Sequence, residues 1–202
     1  AYPYRMPKAF MPPKWIYLSS TGEGAEVFHA ELAAWLTAHP ETKLAFQPGT
    51  FQIEMGKDAL KELYAVTTVF ASNKEEAEHV LAVEATDVKS LLERIYALGP
   101  KTVLITDGPR GAYAFDGTEM RKVPMYPDPT PPIDRTGAGD AMTSTFVVAL
   151  ALGTSLEEAL RWGPINSMSV VQEVGAQKGL LSRGALERHL ANAPAEYRVE
   201  AL

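Results

Sequence analysis

The residues best suited to do chemistry stand together at Asp134-Arg135-Thr136-Gly137-Ala138-Gly139-Asp140. They run straight into an apolar stretch, AMTSTFVVALAL, which Gly153 ends. Gly137 and Gly139 let the main chain turn sharply and bring N–H groups to one point. A helix beginning there adds its unpaired first-turn N–H groups and the positive end of its dipole. Together they make an anion site suited to a phosphate. Asp140 sets a carboxylate beside it, where a base could take the proton of a hydroxyl as that oxygen attacks a phosphoryl group. The same residues also read as a plain turn and helix start, with Asp140 favoured by the dipole.

Three further motifs carry chemistry of the same kind. Asn73 and Glu76 open a helical stretch at the spacing of a capping box. Thr106–Gly111, TDGPRG, is a tight turn after an apolar strand. Asn166 lies inside a long helix, where it can satisfy a neighbouring main-chain group. The four histidines, His29, His39, His79 and His189, lack metal-ligand spacing and read as structural or surface residues. Trp15, Trp35 and Trp162 read as packing groups.

The elements that must position these residues alternate. Strands are expected at Lys14–Ser19, Lys43–Gln47, Ala65–Ala71 and Thr102–Thr106. Helices are expected from Ala25, with Val27, Leu32, Trp35 and Leu36 on one side, then at Asp58–Leu63, Lys74–Ala82 and Asp87–Leu98. A hairpin is expected around Asp116-Gly117, with strands Ala112–Phe115 and Glu119–Pro124. The long apolar helix follows the glycine turn. Ser155 caps the next helix, which runs to about Gln172, and a last helix covers Arg183–Asn192. This order predicts an α/β fold with a mostly parallel sheet flanked by helices. In such sheets ligands bind beyond the carboxyl ends of the strands.

Length and composition bound the reading. The 202 residues predict a single α/β domain, with residues 1–13 a proline-rich extended arm. Apolar residues make up 46%, enough for a sizeable core. A net charge of −6 argues against nucleic-acid binding. Without cysteine there is no disulfide framework and no thiolate nucleophile or metal site. No apolar run is long enough to span a membrane, and the N-terminus is not a signal peptide, so a cytoplasmic location is expected.

Taken in order, DRTGAGD, Asn73-x-x-Glu76, TDGPRG and the late Gly175-Ala176 resemble the motifs of the ribokinase-like (PfkB) family of carbohydrate kinases. The match covers roughly residues 43–180. The resemblance implies ATP-dependent phosphorylation of a small-molecule hydroxyl, most directly a sugar. Asp140 would be the catalytic base, and Gly137, Ala138 and Gly139 the anion hole. Asn73, Thr106, Gly108, Gly111 and Asn166 would bind ATP, and Glu76 would hold Mg2+ through water. ATP and Mg2+ are the implied cofactors, with room for a monovalent cation. Arg135 departs from the family pattern, which has Thr there more often.

The resemblance also predicts that the chain is the C-terminal, ATP-binding part of a longer kinase, lacking the N-terminal strands and the β-lid. A sheet so shortened would expose an edge to a partner or a second copy. Two alternatives stand beside this reading. One is a nucleoside or vitamin kinase of the same family; the other is a non-catalytic nucleotide-binding or regulatory module.

Overall fold

The computed structural model describes residues 4–7 and 11–202. Its contacts gather into two compact units: one up to Ile105 together with Phe115–Thr118, the other of Thr106–Ala114 and Glu119–Leu202. Part of the expected N-terminal arm, residues 1–3 and 8–10, lies outside the described residues.

The first unit alternates strand and helix: β1 (Trp15–Leu18), α1 (Glu26–Ala38), β2 (Lys43–Phe46), α2 (Thr50–Met55), α3 (Lys61–Val66), β3 (Val69–Asn73), α4 (Lys74–Leu81), α5 (Val88–Tyr96) and β4 (Thr102–Thr106). β1 pairs parallel with β2, Trp15 opposite Lys43, and β2 parallel with β3, Phe46 opposite Phe70. β4 lies next to β3, whose approach it joins through Thr102 N–H donating to Thr68 O at 2.9 Å. These strands are apolar on both faces because helices cover both. Leu44, Phe46, Val69, Phe70, Val103, Leu104 and Ile105 are all buried. Phe46, Tyr64 and Phe70 meet edge to face and tilted, with centroids 5.7–6.1 Å apart.

Two expectations are corrected here. The buried face of α1 is Ala25, His29, Leu32, Ala33 and Leu36, whereas Val27 is 49% exposed. That set follows the i, i+4, i+7 rows of a helix, and its small alanines allow close packing. The second correction concerns residues 50–71. A helix forms at Thr50–Met55, the next is Lys61–Val66 rather than Asp58–Leu63, and the strand starts only at Val69. Buried Gln52 accounts for the first helix: its Oε1 accepts from Gly49 N at 2.8 Å and its Nε2 donates to Ser19 O at 3.0 Å. Thr67 accounts for the delayed strand, since its hydroxyl donates back to Leu63 O at 2.7 Å and so closes the helix.

The second unit contains β5 (Ala112–Phe115, its last residue in the first unit), β6 (Met120–Val123), α6 (Ala138–Ala151), α7 (Leu156–Val170), α8 (Arg183–Ala191) and β7 (Glu200–Ala201). β5 and β6 are neighbours. β7, which the sequence does not announce, pairs antiparallel with β6, Lys122 opposite Glu200. α6 packs chiefly on α7. Gly163 makes that approach close: a Cβ there would stand 3.0 Å from Met142. Ser155 caps α7 as expected, its hydroxyl accepting from Glu158 N at 3.1 Å. Among the described residues no helix is long and apolar enough to cross a membrane.

Candidate active site

The second unit holds a cavity of about 480 Å³. Four pieces of chain enclose it: the turn after β4, the proline-rich loop after β6, the start of α6 and the last turns of α7. Its size suits a ligand of cofactor dimensions.

The turn is Thr106–Gly111. Asp107 N donates to Gly111 O at 2.8 Å and Arg110 N to Asp107 O at 3.0 Å. Gly111 has φ +95°, and a Cβ there would lie 2.1 Å from Val123 O, so no other residue fits. The carboxylate of Asp107 is nearly buried and grips the Arg110 guanidinium at both Nε (2.5 Å) and Nη2 (2.6 Å). This bidentate pair locks the turn and holds the Arg110 guanidinium protonated. Thr106, Gly108 and Gly111 all line the cavity, as does Tyr126 from the proline-rich loop. Tyr126 is fixed by its hydroxyl, which donates to His189 O at 3.1 Å, and by the ring of Tyr197, 4.8 Å away.

The start of α6 is built on Asp134 and Gly137. Asp134 accepts from Thr136 N and Gly175 N, each at 2.9 Å, and these bonds hold its carboxyl below the usual carboxylate range. Gly137 is the N-cap, with φ +79°, and a Cβ there would meet Ala176 Cβ at 2.5 Å and Cα at 2.7 Å. Gly175-Ala176 therefore packs against the turn itself. Ala138 N donates to Arg135 O at 3.2 Å, and Ala141 N to Gly137 O at 2.8 Å. Between them, the Gly139 N–H has no main-chain acceptor among the described residues. Ala138 and Gly139 line the cavity, while Gly137 shapes the turn from behind. Asp140 is exposed in the first turn of α6.

The structure thus brings Thr106, Gly108, Gly111, Ala138 and Gly139 to one cavity, with Gly137 and Asp140 adjoining in the chain. Asn166 does not line it. Its Nδ2 donates to Thr145 Oγ1 at 2.7 Å and its Oδ1 accepts from Leu181 N at 2.9 Å, so both ends of the buried amide are engaged. The next two residues of α7, Ser167 and Met168, reach the cavity instead. Asn73 and Glu76 belong to the first unit, where they form the capping box of α4 at 2.8 and 2.9 Å. Among the described residues no three His, Asp or Glu side chains converge as a metal cage. Magnesium, which keeps most of its waters and rides on phosphates, needs at most one or two carboxylates. The Glu76 carboxylate accepts from Asn73 N and keeps lone pairs beyond that bond.

Two parts of this site went unread in the sequence. The role of Asp134 in holding the turn is the first, although an Asp three residues before Gly137 is a known Asx-turn signal. The pairing of Ala176 with Gly137 is the second, and nothing local in either segment announces it.

A cavity set against a glycine turn and a helix N-terminus, on an α/β frame, is an arrangement suited to a phosphate-bearing ligand. The model of the pfkB family of carbohydrate kinases matches residues 8–183, and the chain belongs to this family. A Bacillus subtilis ribokinase is 35% identical over 124 residues, covering 61% of this chain and 40% of that protein. The fold is shared with an Arabidopsis thaliana ribokinase complexed with ribose and ATP (TM-score 0.76, 22% identity, 88% of this chain, 55% of that one). It is shared equally with a Methanocaldococcus jannaschii nucleoside kinase (TM-score 0.75, 23% identity, 91% and 58%). The chain spans about half the length of the curated relatives it matches, from 40% to 53% of the first three.

Proposed function

We propose that this chain binds ATP in the cavity of the second unit and serves transfer of its terminal phosphoryl group to a hydroxyl of a small molecule, in first place a sugar. The observation that carries the reading is the Gly139 N–H: it has no main-chain acceptor among the described residues and belongs to a cavity-lining residue at the positive end of α6. Gly139, beside Ala138, offers its N–H group to the charge that gathers on the transferred group. Gly137 and Asp134 hold that turn in shape before any ligand arrives. The TDGPRG turn, locked by Asp107 and Arg110, receives the rest of the nucleotide. Asp140, one residue beyond the hole, accepts the proton of the attacking hydroxyl. Asn166 acts from behind, bracing α6 and the segment before α8 so that Ser167 and Met168 form the cavity wall. Magnesium, when bound, would supply neutralisation of the phosphate oxygens.

A nucleoside acceptor is the second reading, favoured by the likeness in fold to the M. jannaschii nucleoside kinase. β1 ends the strand order, and an edge of that kind is where a partner or second copy would pair.

The test is ADP formation by the 202-residue chain with magnesium and a panel of sugars and nucleosides. Turnover with one acceptor class, lost in Asp140→Asn, supports the kinase. Tight ATP binding without turnover on any acceptor reduces the chain to a nucleotide-binding module.

A further inference from the structure

We infer that Arg135 clamps the phosphate chain of the bound nucleotide and is the side-chain cation of this site. The inference rests on the proposed ATP site and adds to it the group that meets the charge of the phosphates.

The argument starts from charge. The phosphate chain of ATP carries several negative charges, while a helix N-terminus offers only about half a positive one. Some side chain or metal must meet the remainder. Of the residues that line the cavity, only Arg135 is cationic, and Asp128 is its only acidic one. Arg110, in the neighbouring turn, does not line the cavity, and its charge is already paired: one edge of its fork, Nε and Nη2, donates to the Asp107 carboxylate at 2.5 and 2.6 Å. The fate of Arg135 is the opposite. Its side chain is exposed and has no carboxylate partner or acceptor among the described residues. An arginine so placed keeps its donors available for a planar, bidentate grip on phosphate oxygens.

Its main chain, by contrast, is fixed. Arg135 O accepts from Ala138 N at 3.2 Å. Just before it, the Asp134 carboxylate accepts from Thr136 N and Gly175 N, and Ile133 N donates to Val171 O at 2.8 Å. The side chain therefore springs from a preformed base beside Ala138 and Gly139, so ordering it on a ligand costs only its own rotamers. An arginine in place of the commoner threonine of this motif is accounted for by that role.

The test is calorimetric titration of the 202-residue chain and its variants with ATP and with adenosine. Arg135→Ala should weaken ATP binding about tenfold or more, as expected for loss of a charge-assisted pair, and leave adenosine within about twofold. Arg135→Lys should recover only part, because a point charge cannot reproduce the fork. Added salt should weaken ATP binding by the native chain more steeply than by Arg135→Ala. Arg183→Ala removes an exposed arginine on α8, paired with Glu187 at 2.7 Å, and should change neither ligand. If Arg135→Ala binds ATP like the native chain while Gly139→Val does not, Arg135 has no phosphate role and the site itself stands. If Arg135→Ala loses adenosine as much as ATP, its role is structural and the inference fails. If the native chain binds neither ligand, the nucleotide site fails, and the inference with it.

Discussion

Two glycines, two residues apart, should respond in opposite ways to the same added methyl group. At Gly139 a Cβ would meet no atom of the protein within 4 Å, and the residue lies in the first turn of α6 without a left-handed φ. Alanine is a better helix former than glycine by up to about 1 kcal/mol, so Gly139→Ala should leave the fold intact or slightly stabilised. With about 2–4 °C per kcal/mol for a chain of this size, its melting temperature should stay level or rise by up to about 4 °C. Gly139 lines the cavity, and on the proposed reading the methyl would intrude on the phosphate it holds. By analogy with removal of one oxyanion-hole donor, turnover should fall by about 10²-fold or more.

At Gly137 the backbone φ is +79° and the added Cβ would overlap Ala176 at 2.5–2.7 Å. The left-handed conformation costs alanine about 1–2 kcal/mol, and the overlap about 1–3 more. Gly137→Ala should therefore melt about 4–20 °C lower. Thermal melts followed by near-ultraviolet circular dichroism, paired with ATP titration calorimetry, read both quantities on the same samples. A Gly139→Ala chain that binds ATP and turns over normally would refute the placement of the hole. A Gly137→Ala chain as stable as the native one would refute the packing argument behind the turn.

Asp140→Asn should keep the melting temperature and lower the rate by about 10²–10⁴-fold, as loss of a general base does; an unchanged rate would remove Asp140 from the chemistry. The folded-state pKa of Asp134 lies below its unfolded value, so its contribution to stability is present above the ordinary carboxylate range and lost as pH falls through the lowered value. The stability gap between native chain and Asp134→Asn, measured by denaturant melts, should thus hold at neutral pH and narrow as pH falls through and below the ordinary carboxylate value of 3.8. His29 is buried, with Nε2 3.0 Å from Thr21 Oγ1, and its pKa is lowered by desolvation against an opposing effect of Glu26. Its neutral form belongs to the fold, so stability should drop as pH falls below the ordinary histidine value of 6.5, and His29→Gln should lessen that drop. Asn166→Ala leaves the Leu181 N–H and Thr145 hydroxyl without their partner and should cost about 1–3 kcal/mol in a denaturant melt, while a variant of native stability with impaired adenosine binding would place Asn166 at the ligand instead.

Much of this was legible because local signals and tertiary need agree. Thr102–Thr106 is a strand at the residues expected, since a run buried on both faces has no competing period. α4 begins at Lys74 behind an Asn73–Glu76 capping box that is written in its spacing. The glycine turn and α6 are likewise readable, from two glycines ahead of an apolar run. Residues 50–71 were not, because the β-branched stretch around Thr67 speaks for a strand, while the hydroxyl of Thr67 closes a helix instead. β7 escaped because two exposed residues, Glu200 and Ala201, are held by main-chain bonds to β6 and by nothing in their own side-chain pattern. In the site, Gly108, Gly111, Gly139 and Arg135 announced themselves by glycine and charge, whereas Tyr126, Ser167 and Met168 did not. The groups that hold them, Ala176 behind Gly137 and Thr145 beside Asn166, are contacts of remote segments and leave no local trace.

The most direct check of the central claim is the change in main-chain amide chemical shifts when Mg–ATP is added to the labelled chain. The account predicts that the amides of Ala138, Gly139 and Asp140 move with ATP, and that Gly108 and Gly111 move with both ATP and adenosine. Shifts confined to other parts of the chain, or none in the first turn of α6, would contradict it.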